Sequence, residues 1–175
     1  MADNPNKPWN LKRYESTNRE SGIAFINNLM LRCEDAAQKY REAAALTTED
    51  SIKEYLESLA SYRQSLYKEL FEWMNALPPT PMPVNKRVRS YLSDNWEDFR
   101  DALMLNQEAK VADFTQAAER SLSSYYREAV AQEGVPKDIH DMLNRHHRHV
   151  MEVLRKVERM ELVPMLRNNG FNEPE

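Results

Sequence analysis

The chain has 175 residues, 41 % of them hydrophobic and 30 % charged, a size that builds one ordinary domain around a single core. A net charge of −4 with both signs interspersed excludes a broad nucleic-acid-binding surface, and only three glycines exclude a sheet protein rich in tight turns. No apolar run reaches the roughly 18 residues of a membrane span, and the opening MADNPNKPWNLKRY lacks a secretory h-region, so a soluble cytoplasmic helical protein is expected.

Residues 1–16 are polar, carry Pro5 and Pro8, and read as an extended arm. A first helix is expected from Thr17, with Glu20 in capping-box spacing. Ile26, Leu29, Met30, Cys33, Ala36, Ala37, Tyr40, Ala43 and Ala44 then recur every three or four residues, one face of a long helix ending near Leu46. Thr47 and Thr48, followed by Glu49 and Asp50, offer a cap and first-turn negative charge for a second helix. Its stripe is Ile52, Tyr55, Leu56, Leu59, Tyr62, Leu66, Leu70, Trp73, Met74 and Leu77. The short punctuation between the two makes an antiparallel hairpin.

Pro78, Pro79, Pro81 and Pro83 stop the second helix, because proline removes an amide donor and disfavours helix in the residue before it. Pro78 and Pro81 fit a P-x-x-P ligand, but a stiff connecting strap accounts for them without a partner. Val88, Tyr91, Leu92, Trp96, Phe99 and Leu103 give a shorter helical pattern over 86–104. Asn106 is placed to cap the next helix, whose stripe is Val111, Phe114, Ala118, Leu122, Tyr125, Ala129 and Val130. Gly134 ends it, and Pro136 suits the first turn of a last helix carrying Ile139, Met142, Leu143, His146, Val150, Val153, Leu154, Val157 and Met160. Four long helices of about 40 Å each result. A connection over 78–105 is long enough to cross the bundle, which is the ferritin-like way of joining two antiparallel hairpins. The domain reading is an arm over 1–16, an all-α ferritin-like four-helix bundle over 17–162, and a tail over 163–175.

Three pieces carry a family likeness: INNLMLRCEDAAQKYREAA in the first hairpin, YLSDNWEDFRDAL in the crossover and AAERSLSSYYREAV in the third long helix. With Cys33 on helix one, the spacing Trp96-x-x-Phe99-x-x-Ala102-Leu103, and Glu119 seven residues before Tyr126, residues 22–160 resemble the bacterial ferritin-like proteins of unknown function that include the stress-associated YciF-type proteins. The resemblance implies a ferritin-like fold, a homodimer and an association with stress, and brings no established reaction.

Ferritin-like proteins with oxidative chemistry hold two irons through a Glu on each of two helices and Glu-x-x-His on the other two. This sequence has no Glu-x-x-His, and no histidine precedes His140, so the first hairpin cannot supply an imidazole. No cofactor is therefore expected. The alternative is iron or zinc in a degenerate site, or an oxidoreductase built on one. His146 and His149 are i, i+3 on one helix face, and Glu119 and Glu34 would add carboxylate oxygens. The commoner reading of the same residues makes His146 a hydrogen-bonded core histidine and leaves the others solvated. The run Arg145-His146-His147-Arg148-His149 would equally suit a phosphate or an acidic surface.

One cysteine excludes an internal disulfide and any cysteine-based zinc site, and Cys33 on the inward stripe reads as a buried thiol rather than a reactive one. Tyr40, Tyr62, Tyr125 and Tyr126 fit an inward polar ring but receive no chemistry. Trp9 and Leu11 in the arm, with Val163, Met165, Leu166 and Phe171 in the tail, lie outside the stripes and either fold back over the bundle ends or dock on a second subunit or a partner protein. The expected role is a non-catalytic, stress-associated structural or protein-interaction bundle, with neither nucleic acid nor membrane as partner.

Overall fold

The computed structural model describes residues 8–77 and 88–159, with side chains from residue 21 onward. The proline strap at 78–83, the tail at 163–175 and the side chains of Trp9 and Leu11 fall outside these. Within the described residues the chain is all-helical. The elements are α1 (Pro8–Leu46), α2 (Asp50–Ala76), α3 (Tyr91–Asp94), α4 (Trp96–Met104), α5 (Glu108–Val130) and α6 (Lys137–Arg159).

Helix α1 begins at Pro8 rather than Thr17. Pro8 has a backbone suited to a first turn, and no Gly or Pro interrupts the chain before Gly22, so the Thr17–Glu20 pair falls inside the helix. The stripe from Ile26 to Ala44 is buried at every expected position. Glu49, without a side-chain cap, opens α2, whereas the buried Thr47 turns its Oγ1 onto the Glu49 amide at 3.2 Å and stabilises the turn instead. Along α2 the buried face runs from Ile52 to Leu70 and then fades, with Trp73 and Met74 only partly covered. Helices α1 and α2 pack along their length, as do α5 and α6.

The expected single helix over 86–104 divides at Asn95, whose ψ of 23° departs from helical geometry. Its side-chain amide donates to the Tyr91 carbonyl at 2.8 Å and competes with the helix ladder. Asn106 does not cap α5. With φ at 51° it is the left-handed residue that terminates α4: its amide donates to Leu103 O at 3.2 Å and the Gln107 amide to Ala102 O at 2.9 Å. That pair of bonds is a Schellman ending, which asparagine tolerates better than other side chains. Gly134, at φ 74°, fills a left-handed position between α5 and α6, and Pro136 stands just before α6 and accepts from the His140 amide.

The side-chain contacts fix the directions of the four long helices. Arg32 meets Tyr125 and Tyr40 meets Glu119, so α1 runs antiparallel to α5. Tyr55 meets Thr115 and Arg63 meets Glu119, so α2 runs parallel to α5. Tyr62 meets the His149 ring edge-on while Glu69 bonds His146, so α2 is antiparallel to α6. Two parallel neighbours cannot be joined by a tight turn, and α3 and α4 lie in the long connection between α2 and α5. The crossover is moored to α1: Asp35 accepts from the Ser90 amide at 2.8 Å and from the Ser93 hydroxyl, and Arg32 donates to Arg89 O at 2.7 Å. At the other end Gly22 lets α1 approach the α5–α6 connection, since a Cβ there would meet Val135 Cγ2 at 2.9 Å.

Candidate functional site

Among the described residues, a connected set of polar side chains interrupts the apolar packing at the centre of the bundle, while the buried Thr47, Ser90, Ser93 and Ser123 bond elsewhere. On α2 the apolar spacing Leu56, Leu59, Leu66, Leu70 passes through Arg63, and on α5 the buried face Val111, Thr115, Ala118, Leu122, Tyr126, Ala129 passes through Glu119. Helical geometry therefore drives both charges inward. They meet at the centre. Arg63 Nε and Nη2 donate to Glu119 Oε1 at 3.2 and 3.0 Å, and Nη2 also donates to Ala118 O at 3.1 Å. Tyr40 donates its hydroxyl to the same Oε1 at 2.9 Å. Burial works against the charge on Arg63, but the adjacent carboxylate outweighs it and holds the guanidinium firmly protonated.

Around this pair stand phenols and the thiol. Cys33 is fully buried, and burial pushes its pKa up to about 11 against the opposing charge of Arg63. It is a protonated core thiol, as its place on the stripe indicates. Tyr40, Tyr62 and Tyr126 all point inward, and burial raises each phenol well above the ordinary value. Tyr125, the fourth expected member of the ring, instead turns outward under the Arg32 guanidinium, 4.2 Å from its ring centre. The inward face of α5 is thus centred one residue away from the apolar stripe read in the sequence.

A second set of contacts leads from this centre to the surface. His146, buried on α6, has Nδ1 3.0 Å from the Tyr126 hydroxyl and Nε2 3.1 Å from Glu69 Oε2. The ionised Glu69 carboxylate only accepts, so Nε2 carries the proton, and in the neutral ring Nδ1 accepts from Tyr126. Glu69 is half-buried, bonded also by Arg145, and the hydrogen bond from His146 holds its carboxyl below the usual range. The result is a carboxylate–imidazole–phenol chain tying α2, α6 and α5 together.

Comparison of the chain with models of protein families, with curated proteins and with solved structures finds no match.

The four candidate ligands do not converge. Glu34 is exposed on α1. Glu119 spends Oε1 on Arg63 and Tyr40, and His146 spends both ring nitrogens on Glu69 and Tyr126. His149 lies against the Tyr62 ring at 5.3 Å between centres, and its Nδ1 is 3.9 Å from Glu152. Burial lowers the His149 pKa, favouring the neutral ring. Among the described residues no three His, Cys, Asp or Glu side chains are grouped closely enough to hold a metal ion together. Two groups on which the arrangement depends, Arg63 and Glu69, were not candidates by motif, whereas Tyr126 was expected to point inward without being given any chemistry. Arg63 had a readable signal, because it occupies an apolar position in the three-and-four spacing of α2. Glu69 had none, since its role depends on how α6 faces α2.

Two buried polar atoms at this centre, Glu119 Oε2 and the Tyr62 hydroxyl, have no hydrogen-bond partner. A buried carboxylate whose first oxygen is paired with a guanidinium tolerates an unpartnered second oxygen better than an isolated carboxylate does.

Proposed function

We propose that this chain is a ferritin-like four-helix bundle that works through protein contacts, as a stress-associated structural or interaction protein, without a complete di-iron site. The observation that carries the reading is the Arg63–Glu119 pair. A two-metal centre in such a bundle draws on several inward carboxylates from different helices. Among the described residues Glu119 is the single buried acid, and the protein's own guanidinium already sits on it. The parallel α2–α5 arrangement with its long crossover supports the ferritin-like topology, and the resemblance of residues 22–160 to the YciF-type proteins supports the biological role. Homodimerisation and a cytoplasmic site belong to the same reading. No helix among the described residues is long and apolar enough to cross a membrane.

The alternative, an iron- or zinc-binding protein or oxidoreductase, rests on the unpartnered Oε2 of Glu119, which keeps one free lone-pair face toward the core. Elemental analysis of the purified protein, followed by anaerobic titration with micromolar Fe(II) or Zn(II), separates the two. The proposal expects no stoichiometric metal and no uptake. Stoichiometric metal that vanishes in Glu119→Ala and His146→Ala would overturn it in favour of the alternative.

A further inference from the structure

The charge of this protein is not spread evenly. Residues 94–113, which cover the end of the crossover and the first turns of α5, hold six carboxylates (Asp94, Glu97, Asp98, Asp101, Glu108, Asp113) against Arg100 and Lys110. That imbalance equals the net −4 of the whole chain, so everything else balances to zero. The same segment carries the two most exposed large apolar side chains among the described residues, Met104 at 63 % and Leu105 at 67 %. Met104 lies on the exposed face of α4, one turn after Arg100, and Leu105 is the C-cap that leads into the Schellman ending.

Between α4 and α5 this segment borders an open recess of about 570 Å³, lined by the apolar Ala102, Leu105 and Phe114 and by three carboxylates, Asp98, Asp101 and Asp113, against one cation, Lys110. Asp101 has only a long exposed contact with Arg100, at 3.6 Å, and such pairs contribute little. An apolar cleft with an excess of carboxylates attracts a cationic segment and offers its apolar side chain a dry seat. Nucleic acid and anionic membrane surfaces are repelled by the same field.

We infer that the α4–α5 recess is the docking surface of this protein, and that its occupant is a basic amphipathic segment of a partner protein, seated by an apolar anchor beside Leu105 and Phe114. The inference rests on the reading of the bundle as an interaction protein and names the kind of partner. The carboxylates steer the approach and make the association sensitive to salt, while the apolar lining sets the residence time.

The test uses the full chain, isotopically labelled, and a synthetic 18-residue amphipathic helix of Leu and Lys, with a Leu and Glu peptide as the charge control. The expected result is amide shift changes concentrated in residues 96–114 for the Lys peptide and none for the Glu peptide. Affinity should fall about tenfold in Asp98→Asn/Asp101→Asn/Asp113→Asn and also in Leu105→Ser. It should be unchanged in Glu57→Gln/Glu72→Gln/Glu128→Gln, which removes the same charge from exposed positions elsewhere. Lys110→Glu provides a variant with the opposite sign and should tighten binding. Shifts centred outside 96–114, equal losses in both triple variants, or no binding overturn the inference. So does light scattering in which Leu105→Ser halves the mass, since the recess would then be covered by a second copy. None of these results touches the metal titration, so the two proposals fail separately.

Discussion

Removing one charge from the centre of the bundle is the most demanding perturbation the structure suggests. In Arg63→Met the aliphatic volume is roughly kept, but Glu119 loses both hydrogen bonds from the guanidinium and remains buried with only Tyr40 on Oε1. Breaking a buried ion pair from one side costs about 3–5 kcal/mol. For a domain of this size that lowers the melting midpoint by on the order of 10 °C. Glu119→Gln should cost a similar amount, because it strands a buried guanidinium. The double variant Arg63→Met/Glu119→Gln removes both charges and keeps an acceptor for Tyr40, so it should cost less than the sum by about 2 kcal/mol or more. Urea unfolding of the four proteins at pH 7 measures all three quantities. A loss below about 1 kcal/mol in Arg63→Met, or strict additivity in the double variant, would refute the claim that this pair organises the core.

Three further outcomes follow from local geometry. Asn106→Gly should leave stability unchanged or slightly higher, whereas Asn106→Val should cost about 1–2 kcal/mol, because φ at 51° is strained for a β-branched residue; thermal melts of both decide it. Gly22→Ala gains about 1 kcal/mol of helix propensity but forces Val135 Cγ2 away from 2.9 Å, so thermal melts should show it destabilised, and less so in a Val135→Ala background, where the 3.3 Å approach to the Glu133 carbonyl remains. Asp35 has a folded pKa lowered by the hydrogen bonds from Ser90 and Ser93, which prevail over the opposing effect of partial burial. The mooring of the crossover is therefore complete above the ordinary aspartate value of about 3.9 and is lost as pH falls through the folded pKa. Amide protection at residues 90–95, corrected for the intrinsic exchange rate, should fall over that acid range in wild type and be low throughout in Asp35→Leu; equal protection in both would refute it.

The fold was legible where apolar spacing decides the outcome. Every buried position expected on α1 is buried, because an uninterrupted run of Ile, Leu, Ala and Tyr at three-and-four spacing leaves the helix one way to face. The crossover was legible as a connection but not in detail. Asn95 and Asn106 both act through their backbones or short local bonds, and a capping residue and a left-handed terminator have the same letter in a sequence. In the site, Cys33 and His146 fell where their stripes put them. Whether Glu119 faced a metal or a cation depended on Arg63, and that pairing spans 56 residues and two helices, beyond what spacing within one helix encodes. Expectations for the strap and tail concern residues outside those described.

The parallel course of α2 and α5 bears on how the molecule assembles in time. Each hairpin closes through a short connection and is expected to form early, since contacts near in sequence cost little loop entropy. The polar contacts at the centre join residues 55 to 79 positions apart and can form only when the hairpins dock. Arg63 and Glu119 must therefore shed their hydration shells together in the docking step, after helix formation has used the easy contacts. A chain with Arg63→Met/Glu119→Gln has no such shells to strip. Stopped-flow chevrons should show it refolding faster than wild type despite its lower equilibrium stability, so that the ion pair acts as a brake on assembly as well as a clamp on the finished core.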